Sequence, residues 1–235
     1  MKNLINHLKE EWYKYVLEII VITFGIIGAF TLNNWNEKRK NTIEEQIILY
    51  NLKEEIRTNQ LQLEKGIHRM EKAANSSAVL MNLAGPNPPI LQIDSIEELV
   101  RHSSLNSTFR PGQGVSLDII NSGKLVLIRN DSLRQLLSNL PSLVLDSQDD
   151  EEAIYEARER FLIPYLEDKL NFHGTVNIDT TRFTITNLDF LSDLRFQNRI
   201  SRLHFQLRYI RNEYLNISKV HQQMLEIIEV QLATL

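Results

Sequence analysis

The chain has 235 residues, 43% of them hydrophobic, with six histidines, no cysteine and a formal net charge of −4. The missing cysteine excludes disulfides, thiolate catalysis and cysteine-ligated zinc. The charge divides into +2 over residues 1–40 and −6 over residues 41–235, which argues against nucleic acid as a partner, since that contact needs a concentrated basic footprint.

Residues 1–15, MKNLINHLKEEWYKY, place Leu4, Ile5, Leu8 and Trp12 on one helical face. This predicts a short interfacial segment or the first turns of the helix that follows. Residues 16–34 are the predicted transmembrane helix. Val16 to Leu32 holds one charge, Glu18, at its edge, and about 17–25 mostly apolar residues span a bilayer as a helix. Trp12 and Trp35 lie about 35 Å apart at about 1.5 Å per residue, the spacing of two interfacial aromatic anchors. The exit TLNNWNEKRK offers no small-x-small cleavage site, so a retained anchor is expected. Glu18, Gly25 and Ala29 share one side. Gly25 and Ala29 form a small-xxx-small pair, which predicts membrane-helix association through this stripe. Glu18 is costly in lipid unless it faces a partner, water or headgroups.

Residues 41–235 read as one helical domain. Thr42 and Glu45 have capping-box spacing. Leu49, Ile56, Leu63 and Met70 recur every seven residues with Leu52 and Ala73 between them, which predicts a coiled-coil seam to about Leu83. Asn59 and Gly66 interrupt that seam and mark its loosest places. GPNPP ends the helix.

The middle is predicted as short elements: a helix capped by Asp94 or Ser95 to about His102, a loop LNSTFRPGQG, and two short helices in SLDIINSGKLVLIRNDSLRQLLSNL. The first of these stops at Ser122-Gly123 and the second is capped by Asn130 or Asp131. KLVLI is a candidate strand. QDDEEAIYEARERFLIPYLEDKL is a further helix, kinked at Pro164. Its Glu152, Glu156 and Glu159 read as a solvated ridge beside Arg158 and Arg160, with no Glu-x-x-His pair to suggest a metal. GTVNIDTTRFTIT is a hairpin or an extended loop.

From about Leu188 the last helix carries Phe196, Ile200, Leu203, Leu207, Ile210, Tyr214, Ile217, His221, Met224 and Ile228 in alternating steps of four and three. This seam predicts an antiparallel partner for the first long helix, with the middle segment at their far end. His221 on the seam reads as a hydrogen-bonded structural histidine. Arg195, Arg199, Arg202, Arg208 and Arg211 read as an outer face paired with the acidic helix 148–168.

Two stretches carry a resemblance. NNWNEKRK after the apolar segment, then F-x-P at Phe109, then INSGKLVLIRNDSLRQLL, resemble a family of single-pass membrane proteins of unknown function common in Bacteroidota. Its members share an IxIGIxxAxxINNWNE-type anchor and an SGKLxLIxNxxLRxxL-type middle motif. The matching residues are Gly25, Gly28, Ala29, Asn33, Asn34, Trp35, Asn36 and Glu37, then Ser122, Gly123, Lys124, Leu125, Leu127, Ile128, Leu133 and Arg134. The departure is Leu32, where the family usually has isoleucine. The resemblance implies architecture and supplies no activity.

No Walker A, HExxH, GxSxG or EF-hand pattern occurs. Gly112-x-Gly114 lacks a third glycine, and Glu64 with His68 is a two-ligand pair only. The expectation is an all-α chain, one N-terminal transmembrane helix followed by a domain on two long antiparallel helices. No enzyme activity, cofactor or metal is expected. Its function reads as a self-associating scaffold or interaction protein of the bacterial inner membrane, with the C-terminal domain outside the cytoplasm. The expected partners are the lipid bilayer, a second copy and another membrane protein. The alternative is a ligand-binding sensory module that signals through a separate partner protein.

Overall fold

A computed structural model describes residues 2–90, 92–172 and 188–234, with the side chains of residues 2–11 left aside. The stretch read as a hairpin or loop, 174–186, and the face of Leu4, Ile5 and Leu8 lie outside what is described. The fold is all-helical, with no strand among the described residues.

One helix, α1 (Lys2–Leu83), runs without a break through the N-terminal residues, the apolar span and the first long helix. At about 1.5 Å per residue it is about 120 Å long. Thr42 is therefore not a cap: its hydroxyl donates to Lys38 O at 2.9 Å, one turn back inside the helix. Glu45, the other half of the capping-box pattern, is buried and turns across to Arg129. The pattern failed because a capping box needs a chain that leaves helical geometry, and none of residues 34–42 does.

Every seam position named above is buried, from Leu49 to Ala73 on α1 and from Phe196 to Ile228 on α6 (Leu194–Thr234). Contacts between the two helices pair rising numbers on α1 with falling numbers on α6. Glu45 meets Gln231, Gln60 meets Ser218, Glu71 meets Arg211 and Ser77 meets His204. At the far end Gly85 N–H donates to Leu191 O at 2.9 Å. α6 starts later than expected. A 3-10 turn, Asp189–Ser192, precedes it, and Asp193 Oδ1 caps it by accepting from Arg195 N at 2.8 Å.

The middle segment does not gather at the far end. From α2 (Ile93–Ser103) the chain descends along α1. Gly112 reaches Asn59, Val115 reaches Glu55 and Lys124 reaches Glu44. Polar side chains of α1 hold this segment by its backbone N–H groups at Gly112, Val115, Ser116 and Arg129. α3 (Gly114–Asn121) ends at Ser122, with Gly123 in the left-handed region at φ 76°, a conformation glycine adopts without strain. KLVLI is not a strand: Lys124–Leu127 forms a 3-10 turn. α2 likewise has Gln92 at its N-cap, with no side-chain cap from Asp94 or Ser95.

α4 (Asp131–Tyr155) then climbs along α6, capped by Asn130 Oδ1, which accepts from Leu133 N at 2.9 Å. It merges the second short helix of the middle with the first part of the acidic one. Pro141 lies inside it. The irregularity expected at Pro164 comes earlier, as a π-helical stretch, Glu156–Leu162, followed by α5 (Ile163–Leu166) with Pro164 in its first turn. The π stretch runs into α5 without a break, so Pro164, which has no N–H to donate back, falls just after the widened turn of a continuous helix.

Candidate functional site

Residues 12–41 of α1 are exposed, and none of the most apolar 18-residue stretch is buried. This helix is long and apolar enough to cross a membrane. Trp12 and Trp35 stand exposed on either side of its apolar stretch. Glu18, Gly25 and Ala29 are exposed on it, and a Cβ at Gly25 would meet nothing within 4 Å.

The second feature is a buried polar cluster that sequence reasoning missed. Glu151 of α4 is 6% exposed. Its Oε1 accepts from Phe109 N and from Tyr214 Oη, each at 2.7 Å, and its Oε2 accepts from Arg110 Nη1 at 2.6 Å. One carboxylate thus ties the loop before α3 to α4 and α6. Burial, then the bond to Glu151, pushes the Tyr214 hydroxyl well above its ordinary range, so it stays a donor. The signal was available: Leu133, Leu137, Leu140, Val144, Ser147, Glu151 and Ile154 form one three-four seam, and all are buried. A carboxylate at a seam position marks a group that needs buried partners.

Both polar seam residues depart from expectation. Asn59 is no loose place. Its Nδ2 donates to Gly112 O at 2.8 Å and its Oδ1 accepts from Gly112 N at 2.9 Å. Gly66 is where Tyr214 sits, with Cε2 2.9 Å from where a Cβ would be. His221 is fully buried, yet neither ring nitrogen has a hydrogen-bond partner. Its ring lies 6.4 Å from that of Phe109, centroid to centroid. Burial alone lowers its pKa to about 4, so it is neutral near pH 7.

The outer arginines of α6 do not pair with the acidic helix as expected. Arg211 bonds Glu71 of α1 at 3.1 Å, Arg199 donates to Phe161 O and covers the Tyr165 ring, and Arg202 covers the Phe161 ring. The carboxylates there find nearer cations: Glu156 takes Arg160 and Glu159 takes Arg158, each at 2.8 Å. Glu64 and His68 are both exposed. Among the described residues no group of three or more His, Asp or Glu could hold a metal.

The middle motif is a compact turn at the end of the domain nearest the apolar span. Arg129 N donates to Glu45 Oε1 at 2.7 Å, and Arg129 Nε pairs with Glu45 Oε2 at 2.9 Å. Gln231 Nε2 donates to the same carboxylate. Arg134 Nη1 reaches back to Ile128 O at 2.6 Å. Lys124 and Arg129 therefore lock the SGKLVLIRN turn to Glu44 and Glu45, the first turn of α1 beyond NNWNEKRK.

These features define an all-helical chain whose core helix carries an exposed apolar extension. The chain belongs to DUF6090, a family of unknown function, whose sequence pattern matches residues 18–146. That range holds the apolar span from Glu18, α1 from there to Leu83, the segment clamped to it and α4 as far as Asp146. No curated protein and no solved structure gives a match.

Proposed function

We propose that the chain is a membrane-anchored helical scaffold or interaction protein, without catalytic activity, that crosses the bacterial inner membrane once. The observation that carries this reading is the unbroken α1, exposed and apolar over residues 16–32 and a core helix from Glu45 onward. Water does not tolerate so long a run of exposed apolar side chains, whereas lipid does. The domain then stands on the bilayer as an antiparallel pair of long helices, α1 and α6, with Trp12 and Trp35 at the two interfaces. Because no break separates span from domain, motion or contact at one is transmitted to the other. Self-association through Glu18, Gly25 and Ala29 follows from the exposed small pair.

Alkaline carbonate washing of membranes tests anchoring. The full chain is expected to stay in the pellet, and its release into the supernatant would end this reading. Protease digestion of spheroplasts tests orientation. A C-terminal tag is expected to be lost, and an intact tag places the domain in the cytoplasm.

A further inference from the structure

α1 carries the face of Gly25 far beyond the apolar span. Gly25, Ile43 and Leu61 are spaced by eighteen residues, about five turns at about 3.6 residues per turn. On an unbroken helix they share one direction. Ala29, Leu32, Ile47 and Tyr50 fall within roughly 40° of it at about 100° per residue. The buried seam of Leu49, Leu52, Ile56 and Leu63 lies on the opposite side. The domain's own packing therefore leaves the apolar side chains of this stripe uncovered.

Ile43, Ile47, Tyr50 and Leu61 are 48%, 57%, 61% and 60% exposed. Lipid does not cover them. Ile43 lies about 14 Å beyond Asn34 along the helix, past a headgroup layer of about 5–8 Å.

We propose that the stripe from Gly25 to Leu61 is the contact face for a second copy of this chain, parallel and related by a two-fold axis. The inference rests on the reading that residues 16–34 lie in a bilayer. Whatever covers the stripe must itself cross the membrane as a helix, leave on the same side and keep one face turned inward for about 54 Å. This chain has that shape. The charges fit a two-fold axis. Glu54 and Arg57 lie on opposite sides of the Gly25–Leu61 line, both about half exposed and 3.5 Å apart within one chain, where Arg57 also pairs with Glu229 of α6 at 3.0 Å. The axis sets Glu54 of each copy beside Arg57 of the other, so the face is self-complementary in charge.

The absence of cysteine makes the test direct. Single variants Ile43→Cys, Ile47→Cys and Tyr50→Cys of the full chain are oxidised in native membranes. Asn51→Cys and Gln62→Cys, exposed but turned roughly 80–100° away, and Phe205→Cys on α6 are the controls. The expected result is disulfide-linked dimer at least several-fold above the controls at all three stripe positions, reduced by adding Gly25→Leu. Crosslinking of Gly25→Cys or Ala29→Cys without the stripe positions overturns this proposal and leaves association in the bilayer standing. No dimer at any position, with the chain in the membrane fraction, overturns both and leaves anchoring, with the stripe facing another protein. A chain found in the soluble fraction removes the anchor reading and this proposal with it.

Discussion

Gly66 of α1 and Tyr214 of α6 pack so closely that a Cβ on the glycine would stand 2.9 Å from the tyrosine ring. The ring cannot retreat, because its hydroxyl is held by Glu151 at 2.7 Å. Gly66→Val is therefore expected to destabilise the domain. Overpacking costs about 1–3 kcal/mol, more than the roughly 0.5 kcal/mol gained from helix propensity. A thermal midpoint at or above that of the wild type would contradict the close contact.

Tyr214→Phe keeps the ring and removes one donor from the Glu151 carboxylate. Phe109 N and Arg110 remain in place, so the loss is that of one hydrogen bond to a charged group, about 1.5–3 kcal/mol. Denaturant unfolding measures it. An unchanged midpoint would mean that Glu151 does not hold α6.

Asn59→Ala removes both bonds to Gly112, an exposed residue whose N–H and carbonyl then turn to water. The expected cost is about 1–3 kcal/mol, with faster amide exchange at residues 112–116 than at the α6 seam. Equal exchange in the two regions would show that α1 does not clamp the descending segment.

His221 supplies a pH dependence. Its folded pKa is lowered to about 4 from its usual 6.5. A depressed folded pKa means that the unfolded chain binds the proton more readily. The residue therefore costs nothing through charge above about pH 6.5 and removes stability as pH falls from there towards 4, by at most about 1.4 kcal/mol per pH unit. Burial of an unpartnered ring also makes His221→Leu neutral or stabilising at pH 7. The check is the difference between wild type and His221→Leu, which cancels the carboxylates that titrate in both. A difference independent of pH from 7 to 4.5 would refute it.

The periodic parts of this chain were legible and the aperiodic parts were not. The α6 seam from Phe196 to Ile228 is readable because a buried helical face repeats in steps of three and four, and each of those residues is buried. The same rule exposes the α4 seam through Ser147 and Glu151, but a carboxylate in a core position interrupts a pattern read as hydrophobic. Apart from the short α3, residues 105–129 have no period. Their place is set by single polar contacts from Glu45, Glu55 and Asn59, and such contacts between distant residues leave no local trace. Thr42 and Glu45 imitate a helix start because cap residues also serve inside helices, where Thr42 bonds back one turn and Glu45 faces the core.

If residues 16–34 lie in lipid, as proposed, and the same helix continues into water, cysteines placed along it differ in access to the aqueous phase. In the cysteine-free chain, Ile22→Cys, Ile26→Cys and Phe30→Cys are treated in intact membranes with a water-soluble maleimide, alongside Gln62→Cys. Little labelling is expected at the first three positions, strong labelling at Gln62→Cys on the accessible side, and labelling of all four after denaturation in detergent. Labelling of Ile26→Cys as fast as Gln62→Cys in intact membranes would contradict it.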